Sequence, residues 1–139
     1  MTVERLRNIA ISLKCAADPS FFQARLECLK KAYNGAGPDW MASPLRKIIS
    51  WFLRTFAVAV LIHDWDYDNS NGTVTDFARA NIRFYQNCII LINAKYNHWW
   101  LTPIKYYATG KAGLAYLSVE DFGWVAWQDG FFNKQHRRK

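Results

Sequence analysis

Seven consecutive apolar residues, Phe56 through Ile62, lead straight into His63-Asp64. A helix that is apolar on every side has no face to offer water, so it belongs at the centre of a fold. Upstream, Ser43-Pro44 supplies a cap followed by a proline at the first helical position. The spacing therefore predicts one long helix over 44–67. Asp68-Asn69-Ser70-Asn71-Gly72 is a strong turn signal. Thr73, Thr75 and Asp76 then offer caps for a second long helix, 74–94, with Phe77, Phe84, Cys88 and Leu91 on its apolar stripe.

The remainder reads as shorter helices wrapped round that pair. Val3, Leu6, Ile9, Leu13 and Ala16 recur at helical spacing and predict a first helix over 3–17. Asp18-Pro19 opens another, with Phe22, Leu26, Leu29 and Tyr33 on one face, and Asn34-Gly35-Ala36-Gly37-Pro38-Asp39 ends it. Thr102-Pro103 starts a helix that carries Ile104, Ala108, Ala112 and Ala115 inward, weakened by Gly110 and Gly113. Ser118-Val119-Glu120-Asp121 resembles a capping box for a last short helix through Trp127. No alternating strand pattern is found. The expected fold is all-α: a helical domain over 1–133 built on two long antiparallel helices, followed by a basic tail over 134–139.

Charge and cysteine content narrow the function classes. Of the formal net charge of +7, Lys134, Arg137, Arg138 and Lys139 supply four positive charges. Such a tail is either a solvated terminus or a tether to an acidic lipid or protein surface. No aromatic–basic platform argues for sequence-specific nucleic-acid readout. Cys15, Cys28 and Cys88 are scattered without a C-x-x-C pair, which suggests neither a zinc ribbon nor a disulfide framework and fits a reducing compartment. Neither a signal peptide nor a transmembrane segment is expected, since the most apolar window, 48–62, contains Arg54 and falls short of a span.

The chemistry-bearing residues converge on the turn between the two long helices. On a helix, Phe56, Val60, His63 and Tyr67 share a face, and Asp64 lies about 100° round from His63. Asn81 sits inside the apolar stripe of the second helix, where a polar group needs a partner. His63 and Asn81 stand at near mirror positions about Asn71, so His63 is the natural candidate. His63 is then either a hydrogen-bonded core histidine or a general base. Asp64, Asp66 and Asp68 alternate like the start of an EF-hand loop, but Asn69 and Thr75 stand where that loop needs Gly and Glu. An EF-hand is excluded.

His63-Asp64-Trp65-Asp66-Tyr67 resembles the H-D-x-x-Y signature of secretory phospholipases of the A-two type, and through Asn69 their prokaryotic branch. The order of Ser43-Pro44, His63 to Tyr67, Ala80 to Phe84 and Tyr106 to Gly113 is similar to that of small uncharacterised phage and prophage proteins. The resemblance covers about 40–127. It implies His63 as general base, Asp64 as calcium ligand, Tyr67 as a member of the motif, and residue 81 as the group that orients the histidine. The sequence departs from that pattern in three places. Asn81 stands where the family has an aspartate, the family's disulfides are missing, and Asn34 to Pro38 matches its calcium loop only loosely. The expectation is a phage-type structural or interaction protein with a degenerate phospholipase-like site and a protein partner in a larger assembly. A calcium-assisted ester hydrolase is the alternative. The place expected is a phage virion or the host cytoplasm.

Overall fold

A computed structural model of the chain describes residues 1–33 and 55–137. The described residues form an all-α structure: α1 (Val3–Ser12), α2 (Pro19–Gln23), α3 (Leu26–Ala32), α4 (Ala57–Asp68), α5 (Val74–Lys95), a 3-10 turn (Trp99–Leu101) and α6 (Thr102–Arg137). The predicted 44–67 helix is not continuous: Phe56, at φ -115° and ψ 24°, is the N-cap of α4, which begins at Ala57; 44–54, Ser43 and the Asn34–Asp39 loop lie outside the described residues.

Helix α4 is central for the reason its composition implies. Val58, Leu61, Ile62 and Trp65 pack into one core with Leu6, Ala10, Phe21 and Leu29 of α1 to α3. Phe56, at its N-cap, with Ala59 and Val60, packs into a second core with Phe84, Cys88 and Ile92 of α5 and Ala108 and Ala112 of α6. One helix thus serves two cores, and each fully buried large side chain contributes about 1.5–3 kcal/mol. Between α4 and α5, Tyr67 meets Phe77 while His63 meets Phe84, the order expected of helices running in opposite senses. Between α5 and α6, Phe77 meets Trp124 and Tyr85 meets Tyr116, again in opposite order along the two chains.

Three further predicted boundaries are corrected. The first helix ends at Ser12 rather than 17, because Lys14 turns left-handed at φ 53° and Cys15 N–H returns to the Ala10 carbonyl. That is a Schellman-type stop made without glycine. The Pro19–Tyr33 helix is split, since Ala24 and Arg25 are extended. The Ala24 carbonyl freed there accepts a hydrogen bond from Arg7 Nη1 at 2.8 Å. Finally, no break precedes Glu120: α6 runs unbroken through the Ser118–Asp121 segment, and 134–137 continue in the same helix.

Gly110 and Gly113 lie within α6, and a Cβ added at either would meet nothing within 4 Å. Each therefore weakens the helix without gaining a close packing contact. Gly110→Ala and Gly113→Ala are each expected to stabilise the fold by up to about 1 kcal/mol, read as a rise in the thermal midpoint.

Candidate functional site

The caps that set the register of the site are local. Thr73 Oγ1 accepts from Asp76 N–H at 3.2 Å and starts α5 one residue beyond it. Asn71 Oδ1 accepts from Thr73 N–H, and Gly72 adopts φ 79°, a left-handed conformation that suits glycine. This tight turn brings the end of α4 against the start of α5.

His63, Tyr67 and Asn81 come together in the seam. His63 Nε2 lies 3.0 Å from Asn81 Oδ1, and the Tyr67 hydroxyl donates to the same oxygen at 2.8 Å. Asn81 is fully buried, and His63 is 9% exposed. The His63 ring tilts over Tyr67 at 4.0 Å and meets Phe84 edge-on at 5.3 Å. Burial pushes the Tyr67 phenol far above its ordinary range, against the smaller opposing effect of its bond to Asn81. It therefore stays protonated and acts as a donor.

These contacts fix the tautomer. An amide oxygen carries no proton, so a hydrogen bond between it and Nε2 places the proton on Nε2. The neutral ring then keeps its lone pair on Nδ1, 3.9 Å from Asp64 Oδ1. Asp64 also adds to the rise of the Tyr33 phenol, after the larger contribution of burial. Tyr33 is thus a neighbour that the sequence analysis left out. Asn81 Nδ2 is buried with no hydrogen-bond partner. Two donors on one oxygen and an idle NH2 describe a place that would suit a carboxylate better than an amide.

For calcium the described residues offer little. Among them no group of three His, Cys, Asp or Glu side chains could hold a metal ion. Asp64 is a single carboxylate beside the histidine, and the loop expected to complete its shell lies outside the described residues.

A second polar assembly lies on another side of α4. Arg83 Nη1 bonds both oxygens of Asp66, at 2.7 and 2.8 Å, with the Asp66 side chain 9% exposed. Burial raises the Asp66 carboxyl, Arg83 pulls it back, and burial is the larger effect. Beside the pair is a cavity of about 160 Å³, whose lining includes Asp18, Ser20, Trp65, Asp76 and Arg79. Asn87, fully buried, clamps the chain after α1: its Oδ1 accepts from Ala16 N–H at 2.7 Å and its Nδ2 donates to the Ala16 carbonyl at 2.8 Å. Both devices were missed from sequence. Asn87, three after Phe84 and beside Cys88, carried the same signal as Asn81, a polar residue bordering an apolar stripe.

The three cysteines are free, with Cys15 and Cys88 buried. Burial pushes the Cys15 thiol up to about 11, so it has little thiolate to react with. Among the described residues no helix is long and apolar enough to cross a membrane. Comparison of the chain with protein-family models, curated proteins and solved structures found no match.

Proposed function

We propose that this chain is a phage-type structural or interaction protein in which a phospholipase-like histidine site serves as an internal pin. The observation that carries the reading is the amide at position 81. It orients the imidazole and caps the Tyr67 hydroxyl, both structural tasks. Being neutral, it supplies no charge to stabilise an imidazolium, which a general base must become when it takes a proton. The pin holds α4 to α5 and leaves the exposed faces to a partner in a larger assembly.

A second reading is favoured by the lone pair on Nδ1. A nitrogen so placed would take a proton from water in ester hydrolysis, with Asn81 holding the opposite edge of the ring. In the family that the motif resembles, calcium held by the residue corresponding to Asp64 would polarise the ester.

Fatty-acid release from phosphatidylglycerol vesicles, with calcium and with a chelator, separates the readings. For the pin, wild type and His63→Gln are expected to show the same background release. Calcium-dependent release lost in His63→Gln would overturn the pin in favour of the hydrolase. Release that appears only in Asn81→Asp would support the pin, by showing that the amide is what silences the site.

A further inference from the structure

The face of α6 turned away from the core is the largest feature that the proposed pin leaves unused. At 100° per residue, Pro103, Tyr106, Tyr107, Gly110 and Leu117 fall within about 100° of arc, opposite the buried Ala108 and Ala112. Tyr106 is 76% exposed and Tyr107 66%. No charged residue falls on that arc from Pro103 to Leu117. The preceding 3-10 turn adds Trp99, 82% exposed, and Trp100, whose ring stacks on His98 at 4.5 Å.

Along the chain leading to and through this face the charges have one sign. Between Asp76 and Glu120 the chain has no acidic residue, while it has Arg79, Arg83, Lys95, Lys105 and Lys111. Arg79 and Arg83 are engaged by Asp76 and Asp66. The lysines sit among the aromatics: Lys95 Nζ lies 5.3 Å from the Tyr96 ring centre, and Lys111 Nζ lies 4.5 Å over Tyr107. Lys111, half-buried, flanks one edge of the arc, about 40° round from Tyr107.

We propose that this face docks flat on an anionic lipid surface, with Trp99, Tyr106 and Tyr107 at headgroup level and Lys95 and Lys111 against the lipid phosphates. Trp and Tyr are the residues that settle at a membrane–water boundary, and an aromatic helix face with basic residues beside it lies in its plane. The charge argues against a second copy as occupant, because two such faces would bring lysines towards lysines. Aliphatic Leu117 and Pro103 within the arc suit acyl chains better than stacked bases. The docking is independent of any reaction at His63.

The test is co-sedimentation of the full chain with vesicles of phosphatidylglycerol or phosphatidylcholine, in the presence of chelator. Binding is expected to phosphatidylglycerol and to be weaker by an order of magnitude or more on phosphatidylcholine. Trp99→Ser with Tyr106→Ser should weaken it by roughly tenfold, and Lys95→Ser with Lys111→Ser by roughly fivefold. All four positions are at least partly exposed, so unchanged circular dichroism is expected. The proposal is overturned if the protein ignores both vesicles. It is equally overturned if binding survives Trp99→Ser with Tyr106→Ser but is lost in Arg138→Ser with Lys139→Ser, which would assign it to the basic tail. Preference for a single-stranded oligonucleotide over phosphatidylglycerol, or a dimer broken by Trp99→Ser in place of vesicle binding, would also sink it.

Discussion

Replacing Arg83 by methionine is expected to remove about 3 kcal/mol of stability near neutral pH. Arginine at this position bonds both oxygens of Asp66, and the carboxylate is 9% exposed. Without it Asp66 is left charged at a site that already disfavours its charge. The adjoining cavity admits some solvent, which keeps the expected loss towards the lower end of what a broken buried pair costs. The pH dependence has a defined sign. Burial holds the folded carboxyl above its ordinary value even with Arg83 present, and Asp18 adds to the rise. A folded carboxyl raised in this way binds more protons than the unfolded one across the window between the two values, so its contribution to stability falls as pH rises through that window. In Arg83→Met the folded carboxyl rises further and the window extends towards neutrality. Urea unfolding at about pH 7 and about pH 5 should therefore show the larger loss at the higher pH. The double variant Asp66→Asn with Arg83→Met should lose less than Arg83→Met, because no charge is stranded. An equal loss at both pH values would mean that Asp66 finds another counter-charge.

The contrast between this pair and the histidine seam shows what a sequence discloses. His63 and Asn81 were legible together because a short turn makes positions on its two sides into neighbours, and because a polar residue on an apolar stripe must have a partner. The all-α class followed from the same periodicity. Asp66 and Arg83 bracket the same turn, but neither interrupts an apolar stripe, so nothing marked them as buried. Asn87 and Ala16 are 71 residues apart in sequence, beyond the reach of any local signal. Local chemistry also misled. Lys14 takes the left-handed position where glycine would have announced a helix stop, and the Ala24–Arg25 break depends on a side chain from α1 that accepts the task of bonding a freed carbonyl. In α6 the tertiary contacts of Ala108, Ala112 and Trp124 with α5 and its neighbours outweigh two helix-weakening glycines and an apparent capping box. The candidate site was readable as geometry. Its chemistry rests on the difference of one atom pair, amide against carboxylate.

That difference sets the expectation for Asn81→Ala, a loss of about 3 kcal/mol, or roughly 10 °C in the thermal midpoint for a domain of this size. The amide oxygen is the acceptor for His63 Nε2–H and for the Tyr67 hydroxyl. Alanine would leave both donors without it in a seam where Asn81 has no exposure to water and His63 very little, and would open a small void besides. Part of the loss is offset, because the side chain removed carries an Nδ2 with no partner of its own. Tyr67→Phe should be milder, about 1 kcal/mol, since the oxygen keeps its contact with His63. In the double variant the two losses should fall short of their sum, as expected of groups sharing one acceptor. Full additivity in thermal unfolding would mean that the hydroxyl and the amide act independently. The shared oxygen would then no longer explain how the imidazole is held with its lone pair towards Asp64, and the tautomer assigned to His63 would lose its basis.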